Sequence, residues 1–121
     1  MAVTAGVLII AGSPRSFLTM IGVHAPSRVT WNLDGSWKQL RARLAVDDSV
    51  LDQNLVGSVV FRVLVDGEEL AASRVIRGGD APVLLPAVDL TGARELVLVV
   101  DPTEDGWFAD RANWLVPVLT R

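Results

Sequence analysis

Apolar side chains recur at every second position along most of this chain, and a period of two builds strands rather than helices. Val29, Trp31 and Leu33 alternate with Thr30 and Asn32 until Asp34-Gly35 interrupts them. Leu40, Ala42, Leu44 and Val46 then alternate with Gln39, Arg41 and Arg43. Val59, Phe61, Val63 and Val65 share a face opposite a set that includes Ser58 and Arg62, and Asp66-Gly67 follows. Asp-Gly between alternating runs is a strong hairpin signal, because a type I′ turn needs positive φ at both central residues. The pattern therefore predicts hairpins at Asp34-Gly35 and at Asp66-Gly67.

The remaining segments extend the same reading. Glu68 to Ile76 returns from the second turn and ends at Gly78-Gly79-Asp80. Val83 to Leu90 is extended, and Pro82 and Pro86 mark an edge or a bulge. Leu96 to Val100 is apolar on both faces, as a covered central strand is. Trp114 to Leu119 is the last strand, and Pro117 is expected to place part of it at an edge. Val7 to Ile10 would serve as a first strand, and Val46 to Val56 reads mainly as a connecting loop with room for one helical turn. Short strands at regular turn spacing predict an all-β fold, an antiparallel β-sandwich or jelly roll. The 121 residues fit one domain, 1–121, long enough to bury a core.

Composition narrows the function classes. The net charge of −3 and the scattered arginines, singly or at alternate positions, argue against a nucleic-acid surface. No cysteine is present, which removes disulfides and thiolate-bound zinc. The run Val7 to Ala11 is too short for a membrane span, and no positive charge precedes it to make a signal peptide. Half the residues are hydrophobic, ten more are glycine, and the mean hydropathy is +0.40. So apolar a small domain is expected to keep apolar surface for a partner, most simply another copy of itself.

Catalytic signals are thin. His24 is the one histidine, and Ser13, Ser16 and Ser27 lie in no nucleophile elbow. The neighbouring acids Asp47-Asp48, Glu68-Glu69 and Glu104-Asp105 point to opposite faces if extended, so neither member of a pair completes a glycosidase dyad with the other. Asp101, Glu104, Asp105 and Asp110 offer oxygens for a structural calcium, in a spacing that fits no EF-hand. The segment from Asp105 to Trp114 is the most suggestive, with the indoles of Trp107 and Trp114 among Asp110, Arg111 and Asn113. Aromatic rings stack on the apolar faces of sugars while such polar groups pair with hydroxyls. Trp114 begins a strand and is expected in the core. Trp31 is expected there too, and Trp37 as a cap on the first hairpin.

Three segments together resemble the NPCBM family of carbohydrate-binding modules. Ile21-Gly22-Val23-His24-Ala25-Pro26-Ser27 is similar to the family's glycine-x-His-Ala-x-Ser opening. Gly57-Ser58-Val59-Val60-Phe61-Arg62-Val63-Leu64-Val65-Asp66-Gly67 looks like its central hairpin, and Asp105-Gly106 with Asp110-Arg111-Ala112-Asn113-Trp114 looks like its closing segment. The likeness covers about residues 17–121. It implies a β-sandwich of the galactose-binding-domain-like type, attached to secreted or periplasmic glycoside hydrolases, with no catalytic residues of its own. It carries over His24, Asp47 and Asp110 as contact residues. Arg111 stands where the family usually has a second histidine, and Asn113 where it usually has an aspartate. The expectation is a non-catalytic module that takes galactose-type glycans at one end of the sandwich through His24, Asp47, Trp107, Asp110 and Arg111. The alternative is a self-assembling homo-oligomeric scaffold, natural or engineered, that has lost sugar binding.

Overall fold

The computed structural model describes residues 2–10, 13–24, 26–46, 58–77, 80–103 and 111–120, with the backbone alone for 2–20, 24 and 111. Eleven strands run through them: β1 (Ala2–Ile10), β2 (Ser13–His24), β3 (Ser27–Asn32), β4 (Gln39–Val46), β5 (Ser58–Val65), β6 (Glu68–Ala72), β7 (Ile76–Arg77), β8 (Val83–Leu84), β9 (Val88–Asp89), β10 (Glu95–Pro102) and β11 (Arg111–Thr120). They form two sheets. One has the order β1-β2-β11-β4-β8, with β9 also on β4; the other has the order β3-β10-β5-β6, with β7 also on β5. Every pairing is antiparallel.

The alternation read from the sequence becomes the core. Leu40, Ala42, Leu44 and Val46 of β4 face Val59, Phe61, Val63 and Val65 of β5, and all eight are buried. Phe61 and Trp114 meet edge to face across the two sheets, centroids 5.0 Å apart at 89°. Trp31 and Trp37 are half-buried against this cluster. β10 lies between β3 and β5, with Leu96, Leu98 and Val100 in the core cluster and Val97 of the opposite face buried as well. The N-terminal apolar run is part of β1, paired along β2.

Three expectations change. Asp34-Gly35 closes no hairpin: β3 pairs with β10 and β4 with β11, so this connection carries the chain from one sheet to the other. The backbone shows why. Asp66 and Gly67 both have positive φ, 51° and 84°, as the tight turn requires, whereas at Asp34-Gly35 only Gly35 does, at 84°. Part of the last strand is an edge, as expected: β11 pairs with β2 only from Arg111 to Leu115, and beyond that with β4 alone. Pro117 is accommodated in a bulge, where the register with β4 slips between Leu115 and Val118. The returning segment after Asp66-Gly67 is two strands rather than one, β6 and β7, both on β5. Val83 to Leu90 is likewise split by Pro86 into β8 and β9 at the edge beside β4.

Candidate functional site

The order of the strands gathers the candidate residues at one end of the sandwich. β2 finishes at His24 and β11 begins at Arg111, and these two are direct cross-strand partners. One row further into the sheet, Ala112 pairs with Val23 on one side and with Val46 on the other. Val46 is the residue before Asp47, and Arg111 is the residue after Asp110. Adjacent strands are about 4.8 Å apart, so His24, Arg111 and the chain leading into Asp47 stand on three neighbouring strands at one level. Asp47, Trp107 and Asp110 themselves lie outside the described residues.

The second sheet brings its ends to the same place. β5 starts at Ser58 and β10 finishes at Pro102, paired with Val59. Ser58 is fully buried, its hydroxyl bonded to that of Thr103, and the Thr103 N–H donates to the Ser58 carbonyl at 3.2 Å. This double tie joins the strand that follows residues 47–57 to the strand that precedes residues 104–110. The connections carrying Asp47, Trp107 and Asp110 are therefore rooted side by side. Sequence reasoning missed this clasp, because Ser58 reads only as part of its hairpin motif and nothing near Thr103 marks it as its partner.

Beneath the His24–Arg111 pair lies a row of small and polar residues. Gly22 pairs with Asn113, and Asn113 pairs with Ala45. Asn113 is only 4% exposed. A Cβ on Gly22 would come within 3.3 Å of the Asn113 Oδ1, so the glycine two residues before His24 makes room for a buried amide. Asn113 alternates with the core residues Ala112 and Trp114, so its amide is buried on the other face of the sheet, one row below Arg111. Most buried polar groups in folded proteins have a partner, and Asn113 is not without one.

Of the four oxygens offered for calcium, only that of Asp101 is described. Its carboxylate accepts from the Arg62 Nε at 3.0 Å, and Arg62 also reaches Glu69 at 3.1 Å. The hydrogen bonds to Asp101 and then to Glu69 hold the guanidinium pKa above its ordinary value. Glu104, Asp105 and Asp110 lie outside the described residues, and among the described ones no three His, Asp or Glu side chains gather closely enough to hold a metal.

Comparison with known proteins places this end of the molecule in context. A family model described as "NPCBM/NEW2 domain" matches residues 2–120. A curated protein of Renibacterium salmoninarum, named "Putative endo-alpha-N-acetylgalactosaminidase", is 35% identical over 80 residues, 66% of this chain and 5% of its own length. Among solved structures, the CBM51-2 and INT domains of Clostridium perfringens ZmpB, with CBM51-2 in complex with GlcNAc, superpose with a TM-score of 0.82 at 29% identity, over 96% of this chain and 25% of that one. The CBM51 of Clostridium perfringens GH95, in complex with methyl-galactose, superposes with a TM-score of 0.78 at 24% identity, over 97% of this chain and 80% of that one. The two-sheet architecture is shared with these solved structures.

Proposed function

The chain belongs to the NPCBM/NEW2 domain family, and from that premise we propose that it is a non-catalytic carbohydrate-binding module whose sugar site is the loop end of the sandwich. The observation that carries this is the pairing of His24 with Arg111, at the level where the connections bearing Asp47, Trp107 and Asp110 are rooted. His24 exchanges hydrogen bonds with sugar hydroxyls, Asp47 and Asp110 accept them, Arg111 donates, and the Trp107 indole stacks on the apolar face of the ring. The ligand is a galactose-type or N-acetylhexosamine unit at the end of a glycan. The GlcNAc held by a structural relative and the methyl-galactose held by another support that class.

A stretch that corresponds to 5% of an enzyme's length supports a role as an attached module rather than as a catalytic part. The parent polypeptide is in this reading a secreted or periplasmic bacterial glycan-degrading protein, and the module keeps it on its substrate. An engineered, self-assembling scaffold has no counterpart among the matched family and structures, and that alternative is not carried forward.

Titration of the pure domain with galactose, GlcNAc and N-acetylgalactosamine glycosides, in calcium and then in chelator, tests the reading. One of the three should bind. Hydrogen bonds to charged groups contribute about 1.5–3 kcal/mol, so alanine at Asp110 or Arg111 should weaken that binding by roughly tenfold or more. Alanine at Trp107 should weaken it too. Silence of a folded sample toward all three sugars, or affinity untouched by these substitutions, overturns the proposal. Loss with chelator alone would assign a metal to the site.

A further inference from the structure

A second feature lies on the outward face of the β1-β2-β11-β4-β8 sheet, away from the loop end. Arg41 and Arg43 of β4 alternate with buried Ala42 and Leu44, so both guanidiniums project from the same outer face. Residues two apart on a strand are about 7 Å apart. Between them and their neighbours is a shallow depression of about 410 Å³, lined by Arg41, Ala42, Arg43, Leu84 and Val116. That volume falls within the usual range of small-molecule sites, about 300–1,000 Å³.

Three properties of this depression are unusual. First, no carboxylate among the described residues compensates its charge. The ion pairs among the described residues are Arg62 with Glu69, Arg62 with Asp101, and Arg74 with Asp80, so neither Arg41 nor Arg43 meets a carboxylate there. Arg41 is oriented by its own strand, its Nε donating to the Gln39 Oε1 at 2.9 Å. Second, the apolar lining is presented to solvent: Leu84, the cross-strand partner of Arg43, is 70% exposed. Third, the backbone at its rim is strained. Val116 has φ 46°, a left-handed conformation that a β-branched residue seldom adopts, within the bulge opposite β4. Bulges re-aim side chains, and strain of this kind concentrates at binding sites.

We propose that this depression is a second saccharide site, selective for sugars that carry a negative charge as carboxylate or sulfate. Planar guanidiniums bind such anions through paired N–H donors, while Leu84 and Val116 take the ring C–H face or an acetyl methyl. The concavity is far smaller than the patch a stable protein–protein interface requires, which favours a small ligand over a second protein. The proposal is independent of the loop-end reading, because it uses none of the same residues.

The test is binding of the pure domain to 3′-sialyllactose for the carboxylate, galactose 6-sulfate for the sulfate, and lactose as the neutral control, at low and at physiological salt. At least one charged probe should bind at least tenfold more tightly than lactose, and more weakly as salt rises. Arg43→Gln should reduce that binding roughly tenfold or more, and Arg41→Gln should also reduce it, each with an unchanged melting temperature. Excess galactose or GlcNAc should not displace the charged probe. If neutral sugars fail to bind while this pattern holds, the loop-end reading fails alone. Equal affinity for charged and neutral probes overturns the second site, as do binding indifferent to both arginine substitutions and displacement by neutral sugar. Formation of a dimer that Arg43→Gln or Leu84→Ser dissolves, with no charged probe bound, assigns the surface to self-association and overturns it too.

Discussion

Asp66 does two things at once. It takes the left-handed backbone of a tight turn, and its Oδ1 accepts from the N–H groups of both Arg94 and Glu95 at 2.9 Å. An asparagine keeps the acceptor and tolerates the conformation. An alanine does neither and leaves two amides without their partner. Asp66→Ala should therefore cost about 1–3 kcal/mol, against a smaller loss for Asp66→Asn, in denaturant unfolding of the two variants; equal losses would mean the carboxylate is not what the turn depends on. Val116 presents the opposite case, a residue whose backbone conformation its side chain resists. Glycine there relieves about 1 kcal/mol of left-handed strain, and the melting temperature should rise by roughly 4 °C. A fall would show that Val116 packing outweighs the strain. The two positions also differ in how far they could be read in advance. Asp66-Gly67 announces its turn because the requirement is local, set by φ at two residues. Val116 and Pro117 announce only that something irregular happens. That the irregularity is at once an edge on the β2 side and a bulge on the β4 side depends on where those two strands, arriving from distant sequence, stop pairing with β11.

The same division between local and distant causes holds for the elements. Alternation in β4 and β5 fixes which face is buried, and those strands form as the pattern demands. What alternation cannot fix is the partner of each strand. Asp34-Gly35 carries the composition of a hairpin turn, yet its role is to change sheets. Gly35 supplies the one left-handed residue, with Arg94 laid over it and donating to the Asp34 carbonyl at 3.2 Å. The sheets are then joined by side chains, and Phe61 of β5 against Trp114 of β11 is their aromatic junction. Edge-to-face pairs contribute about 0.5–1.5 kcal/mol beyond the area they bury. A double-mutant cycle of Phe61→Leu and Trp114→Leu should return a coupling energy in that range from urea unfolding. Additive losses would mean that each ring only fills volume. Trp114 also shows how one segment divides its labour. Within the stretch from Asp105 to Trp114, Trp114 is in the core cluster as expected and Ala112 joins it, while Arg111 pairs with His24 at the loop end and Asn113 pairs with Gly22 one row below.

At the scale of the molecule, the two ends of the sandwich are specialised differently. One end holds His24, Arg111 and the roots of the connections that bear the remaining candidate residues. The other holds Gly35, Asp66-Gly67 and Arg94, tied to one another by backbone and carboxylate hydrogen bonds. β5 alone separates them by eight residues, about 26 Å of strand. His24 and Arg111 could be found from sequence because a short motif marks each; their pairing could not, because register is a property of two strands. The core between the ends is a close-packed block, and such cores transmit little unless an element has two arrangements. Binding and stability should therefore separate by position. Asp66→Ala should lower the melting temperature by several degrees and leave the glycan affinity of the folded protein unchanged. Trp107→Ala should do the reverse, weakening glycan binding with a melting temperature close to that of the parent. Thermal melts and glycan titrations at 15–20 °C on the two variants, about where folded domains are most stable, decide the matter. Weakened binding in fully folded Asp66→Ala would mean that the far turns set the geometry of the sugar site, and that the sandwich acts as one coupled body rather than as a rigid support.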